Sequence, residues 1–174
     1  MRKTTLLLTV LLLLLALTAC AQKAPASDPE GPLPLSEADC VLTLAGTELR
    51  TGIDFVPLAD RLGAPEIEEG QACLSGGYDT NYYYGEETSV YTLAEDGKQI
   101  IYDVYTTDPG VVIPRGLQLG VSTKADVEAA FGTPTRTLPT AMRYTLADGT
   151  GTLAFEFTGE TLTAVGVTDD TKTK

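Results

Sequence analysis

The sequence predicts an α+β fold of two tandem units, each a short helix packed on an antiparallel β-sheet. Three observations carry that expectation. Gly120 to Pro134 reads G-V-S-T-K-A-D-V-E-A-A-F-G-T-P, a capped helix entered from one glycine and stopped by another. Ser122 or Thr123 can accept from the free amides of a first turn, and Asp126 completes a capping box with Thr123. Val127, Ala130 and Phe131 make one apolar stripe; Gly132 suits the left-handed position past a helix end, and Pro134 forbids continuation. Second, Gly52 to Pro65 echoes this stretch as G-I-D-F-V-P-L-A-D-R-L-G-A-P, which makes the chain a tandem repeat. Third, the pattern after each helix switches to period two, broken by turn residues such as Asp96-Gly97, a strong hairpin signal.

Before the units come a leader and a tether. Arg2 and Lys3 precede an apolar run from Leu6 to Leu17, too short for a bilayer span, which needs about 20 residues. Leu17-Thr18-Ala19-Cys20 follows and resembles the lipobox of bacterial lipoproteins. That resemblance implies a signal peptide over residues 1–19 and a lipid on Cys20. Residues 20–38 are rich in Pro, Ala, Ser and Gly and cannot bury enough apolar area to order themselves, so they read as a flexible tether.

The first unit is expected over 39–109. Val41 to Leu44 and Thr47 to Arg50 flank Ala45-Gly46 as a hairpin. A helix over 54–62 follows, with Asp54 as cap, Pro57 in its first turn, and Phe55, Leu58, Ala59 and Leu62 as its stripe. Strands are expected at 71–75, 79–84, 88–94 and 98–106, with Ile100, Tyr102 and Val104 sharing one face of the last. Two cysteines remain after Cys20, Cys40 and Cys73, and in an extracytoplasmic chain a lone pair is most simply a disulfide. The loop it closes separates them by 33 residues and would contribute about 3 to 4 kcal/mol on the chain-entropy model.

The second unit, 110–170, repeats the order with a helix over 123–131 and strands at 141–147, 151–158 and 161–168. Gly63-Ala64-Pro65 matches Gly132-Thr133-Pro134 at an offset of 69, whereas the final strands match at 62. The first copy therefore carries seven extra residues, in the segment that holds Cys73, Tyr78 and Tyr82-Tyr83-Tyr84. Insertions in one copy of a pair often mark the specialised face.

A helix of the form G-x-S-x-x-D-V-x-x-x-F-G-x-P followed by antiparallel strands is similar to the SmpA/OmlA family of envelope-assembly lipoproteins. In tandem it resembles the β-lactamase-inhibitor-protein-like fold. It also looks like small acidic lipoproteins of Gram-positive anaerobes, in which a C-x-x-x-G-x-[DY] segment and tyrosines precede T-Y and D-G-K hairpins. Cys73 to Tyr78, Tyr91-Thr92 and Asp96-Gly97-Lys98 echo that pattern. The resemblance covers roughly 41–168 and implies a protein-binding role. It transfers no catalytic residue.

The chemistry available points the same way. With no histidine in 174 residues, serine triads, Cys-His dyads and histidine metal sites are excluded. Neither a phosphate-cradling nor a dinucleotide glycine motif occurs, and no cofactor or metal site is expected. After loss of residues 1–19, 10 Lys and Arg face 24 Asp and Glu, a net charge of −14, which repels nucleic acid. Carboxylate pairs such as Glu68-Glu69 and Glu86-Glu87 leave a two-carboxylate carbohydrate hydrolase as one alternative, and a purely structural envelope lipoprotein as another. Aromatic clustering stands out instead: of eight tyrosines only Tyr144 lies in the second unit. Three in a row on a strand cannot all face one core, because side chains alternate. Tyrosine gives large contact area at low entropic cost. Tyr78, Tyr82, Tyr83, Tyr84 and Tyr105 are therefore the candidate partner-binding residues, with either Tyr83 or the pair Tyr82 and Tyr84 facing out. The expected function is a non-catalytic, membrane-anchored extracytoplasmic lipoprotein that binds an envelope or cell-surface protein or a cell-wall component.

Overall fold

The computed structural model describes residues 33–71 and 78–173. A 3₁₀ turn, Glu37–Cys40, leads into a hairpin of β1 (Leu42–Leu44) and β2 (Thr47–Leu49), and a single helical turn follows, α1 (Val56–Ala59). Four strands come next: β3 (Glu66–Gln71), β4 (Tyr78–Tyr84), β5 (Thr88–Glu95) and β6 (Lys98–Thr106). A 3₁₀ turn at Pro114–Gly116 precedes α2 (Lys124–Phe131) and the last four strands, β7 (Arg136–Leu138), β8 (Ala141–Thr145), β9 (Gly151–Thr158) and β10 (Thr161–Asp169).

The expected pair of helix-on-sheet units is corrected by the strand order. Eight strands form one antiparallel sheet in the order β3-β4-β5-β6-β10-β9-β8-β7, and β1 and β2 form a separate two-stranded sheet. The seam is β6 on β10, with Val165 opposite Thr106 and Val167 opposite Val104. Both strands are apolar on the covered face, so pairing them leaves no exposed edge in the middle of the molecule. The result is a mostly β protein rather than two sheets each with its own helix.

The helices are also less than the sequence implies. The helix expected over 54–62 shrinks to four residues with none fully buried. Pro57 lies at its start, and the chain leaves helical pairing at Asp60. Phe55, expected within the helix, is instead its flanking residue and a fully buried anchor. α2 does form as its punctuation predicts. Thr123 accepts from the Asp126 amide while the Asp126 carboxylate accepts from Thr123, and Gly132 ends the helix at φ 79°. Val127 and Phe131 are its buried residues.

Backbone hydrogen bonds fix both helix approaches to the centre of the sheet. β10 pairs only with the second half of β6, from Asp103 onward. Alongside the first half runs Gly52 to Phe55: the Gly52 amide donates to the Ile101 carbonyl at 2.8 Å, and Phe55 donates to Gln99 at 2.8 Å. The same device recurs at β10, where Gly120 donates to Leu162 and Leu162 to Ser122, each at 2.8 Å. The hairpin is tied in by reciprocal bonds between Thr43 and Val112.

All these covering elements lie on one face. Leu42 and Leu49 of the hairpin, Phe55, Ile113, Val127 and Phe131 join Val90, Val104, Phe155 and Val165 of the sheet in one core. One aromatic cluster of this core joins Phe131 to Tyr144 and Phe155, with centroids 5.4 and 5.3 Å apart, worth about 1 kcal/mol per pair beyond area burial.

Arg115 closes this layer where the described chain begins. It adopts φ 61°, a left-handed conformation that costs a non-glycine residue about 1 kcal/mol or more. That geometry aims the guanidinium inward. Nε and Nη2 donate to the two Asp39 oxygens at 2.8 and 2.7 Å, and Nη1 reaches the carbonyls of Leu33 and Ala130 at 2.7 and 2.8 Å. Nη2 also meets the Pro34 carbonyl, and the charge stands 4.3 Å from the Phe131 ring centre. Burial would raise the Asp39 carboxyl, but hydrogen bonds from Arg115 and Ser36 offset it and hold the group below the usual range.

Candidate functional site: the open face of the sheet

Register decides which tyrosines see solvent. Tyr82 is opposite Val90 and Tyr84 opposite Thr88, and Val90 and Thr88 are buried on the covered face. Tyr82 is 7% exposed and meets Phe55 edge-on at 4.8 Å. Tyr84 is half-buried, and its hydroxyl donates to the Ala59 carbonyl at 2.9 Å. This pair belongs to the core, so Tyr82 and Tyr84 leave the list of binding candidates. Tyr83 is the ring that faces out. Tyr78 opens β4; its side chain lies outside the described residues, as do Cys20 and Cys73.

Tyr83 has company that the sequence reading did not assign to it. Its ring stands edge-on to Tyr91 at 6.2 Å, and Tyr91 is tilted against Tyr102 at 6.3 Å. The run thus crosses β4, β5 and β6. Tyr102 reaches this face through a β-bulge: Tyr91 pairs with Asp103, and Thr92 pairs with Ile101. Tyr102 is left over between them. Expected alternation put Tyr102 beside Val104; the bulge instead buries Ile101 and Val104 and turns Tyr102 outward beside Asp103. Tyr105 completes the set from the far end of β6. It faces Gly166 across the seam, where a Cβ would come within 3.1 Å of the Val104 carbonyl and 3.7 Å of the Tyr105 ring. The carbonyl is the tight contact, so glycine relieves the backbone of the seam there, with the ring at ordinary contact distance.

Carboxylates surround the rings. The Tyr83 hydroxyl donates to Glu68 at 3.1 Å, and the Tyr105 hydroxyl donates to Glu156 at 3.2 Å. Thr168 donates to Asp103 at 2.6 Å. Asp79 shares the face, opposite Leu93. The phenol of Tyr102 is pushed up to about 12, first by burial and then by the Asp79 and Asp103 charges. Burial raises Asp79, and it raises Asp103 against the opposing pull of Thr168, the Val104 amide and Arg143. At the other edge the character inverts, since Arg136 is paired directly with Arg143.

Among the described residues no helix or hairpin covers this face, and no group of three metal-ligating side chains converges. Its rings are half-exposed. Such a surface offers flat aromatic area, hydroxyls already oriented by carboxylates, and an acidic setting.

Cys40 stands apart from it. Cys40 is a free, buried thiol, raised to about 11 chiefly by burial and then by Asp39 and Glu37. It lines a cavity with Val167 and Gly151 of β10 and β9. Cys73, its expected partner, lies outside the described residues, and Cys40 carries no disulfide in this structure.

No protein-family model, curated protein or solved structure matches the chain.

Proposed function

We propose that the protein is a membrane-tethered, extracytoplasmic, non-catalytic binding module that takes an envelope or cell-surface protein on the tyrosine half of its open sheet face. The observation that carries this reading is the half-exposed run Tyr83, Tyr91 and Tyr102 with Tyr105 beside it, on a face that nothing in the described chain covers. Tyrosine and tryptophan anchors dominate protein interfaces because a rigid ring desolvates a large area at little entropic cost. The acidic neighbours supply a polar rim that selects basic partners and makes association salt-sensitive.

Arg115 binds the Leu33 and Pro34 carbonyls beside Ala130 and Phe131, on the covered side of the sheet. The signal peptide over 1–19, the lipid on Cys20 and the tether through residue 38 complete the proposal from the sequence side.

The test is replacement of Tyr83 and Tyr105 by alanine in the full chain, with partner capture by crosslinking at the intact cell surface and mass spectrometry. Loss of the captured protein, with the thermal midpoint kept, is the expected result. If the anchors act as proposed, affinity falls by at least about 2 kcal/mol. Unchanged capture by the double variant would refute the assignment of the face.

A further inference from the structure

Two like charges stand directly opposite each other at the far edge of the open face. Arg136 of β7 pairs with Arg143 of β8, a juxtaposition that by itself destabilises a sheet. The mature chain sets 10 Lys and Arg against 24 Asp and Glu, yet among the described residues neither arginine forms an ion pair. Both are exposed. Register fixes the face they occupy: Arg143 is opposite Ala154, Ala154 opposite Gly166, and Gly166 opposite Tyr105. The pair therefore lies three strands from Tyr105, with only small residues between them in that row.

The arginines line an open concavity of about 460 Å³ with Thr135, Thr145, Thr152 and Asp170. The Thr145 and Thr152 hydroxyls bond each other at 3.0 Å, and Thr152 donates to Asp170 at 2.6 Å. Thr135 accepts from the Thr145 amide at 3.0 Å, and its own hydroxyl hydrogen has no acceptor among the described residues. The concavity thus presents two guanidinium forks and a hydroxyl donor, while the one carboxylate among its lining residues is engaged by Thr152.

We infer that this edge is a phosphate seat, taking a phosphoryl group with two negative charges, either free phosphate or a phosphate monoester. The seat is separate from the tyrosine half and does not depend on the protein partner assigned there. Charge count decides between oxyanions. A carboxylate has one charge and two oxygens, which a single guanidinium fork satisfies, and the second arginine stays unopposed. A phosphoryl dianion neutralises both arginines and has a third terminal oxygen for the Thr135 hydroxyl. Glu66 and Glu68 sit on the opposite edge strand, well beyond the Debye length of about 8 Å at physiological salt, so their repulsion is largely screened.

The probe is sodium phosphate at about 50 mM and pH 8, set against sodium chloride of equal ionic strength. The readout is the thermal midpoint of the full chain in non-ionic detergent. Phosphate is excluded from protein surfaces and raises the midpoint of every variant, so the signal is the extra rise of the wild type over Arg136→Gln. A site with a dissociation constant near 10 mM would stabilise the folded state about sixfold, an extra rise of about 3 °C. Arg61→Gln, which removes an exposed arginine beyond α1, should keep that extra rise. Glycerol 1-phosphate separates the two sources: an equal extra rise assigns the seat to a monoester on a larger molecule, and none confines it to free phosphate. Three results would overturn the inference. Arg136→Gln could respond to phosphate as the wild type does, or Arg61→Gln could lose the response equally. Acetate at the same ionic strength could give the same extra rise, which would make the ligand a carboxylate.

Discussion

Truncating Arg115 to alanine should destabilise the domain by about 3 kcal/mol or more, although the residue touches no part of the proposed binding face. The magnitude follows from what is left behind. Asp39 is 8% exposed and takes both guanidinium bonds; stripping the partner from a buried ion pair typically costs about 3 to 5 kcal/mol. The Arg115 side chain retains 19% exposure, which argues for the lower end. Three carbonyls lose a donor as well, and the cation over Phe131 is worth about 0.5 to 1 kcal/mol where partly exposed. Relief of the left-handed backbone is not gained by alanine, so no compensating term enters. For a domain near 150 residues, 3 kcal/mol lowers the thermal midpoint by about 10 °C. Urea unfolding followed by circular dichroism measures the change. The same experiment repeated from pH 6 to pH 3 adds a signature. Because the folded Asp39 carboxyl lies below its unfolded value, its stabilisation is complete above the ordinary carboxylate range and is lost as the pH falls through the depressed value. Arg115→Ala should flatten that acid limb. A loss under about 1 kcal/mol, with the acid limb unchanged, would show that the guanidinium is not the clamp described.

Other outcomes follow from the core and from the thiol. Phe131→Ala should cost about 3 to 5 kcal/mol in the same assay, since the ring is 5% exposed and meets Tyr144, Phe155 and Arg115; a loss below about 1 kcal/mol would place that ring outside the core. Cys40, free and raised to about 11, should resist iodoacetamide at pH 8 in the folded protein and react once the protein is unfolded without reductant. Labelling that needs prior reduction would restore the Cys40–Cys73 bond. Replacing Gly166 by valine should destabilise the fold in the same assay by pressing a side chain on the Val104 carbonyl across the seam; an unchanged midpoint would show that the seam yields there.

Much of the local structure was legible because its signals are local. The Thr123 and Asp126 capping box, Gly132 after the helix, and Ala45-Gly46 and Asp96-Gly97 in their hairpins all act within a few residues. β3 and β7 were not legible. Glu66–Gln71 carries three glutamates and a glycine, poor strand formers that are tolerable at an edge because edges need charge more than packing. Arg136–Leu138 is too short for a period to show. The fold class failed for a different reason. Whether β6 ends one sheet or continues into β10 is a pairing choice between distant strands, and the apolar pattern is the same in both cases. At the site, three consecutive tyrosines announced that one side must be wet, but not which. The covered side was decided by Phe55, whose ring takes Tyr82 edge-on. Tyr102 was assigned to the wrong face because a bulge opposite Tyr91 and Thr92 leaves one extra residue in β6, and a one-residue slip reverses every face beyond it.

The central claim, that the uncovered sheet face binds the partner, is tested most directly by site-specific photocrosslinking. A photoreactive phenylalanine analogue is placed singly at Tyr83, at Tyr105, or at Val121, which is 70% exposed just ahead of α2, and cells carrying the full chain are irradiated. The account predicts the same protein adduct from Tyr83 and Tyr105 and none from Val121. An adduct from Val121 alone would place the partner on the opposite side of the sheet and contradict the account.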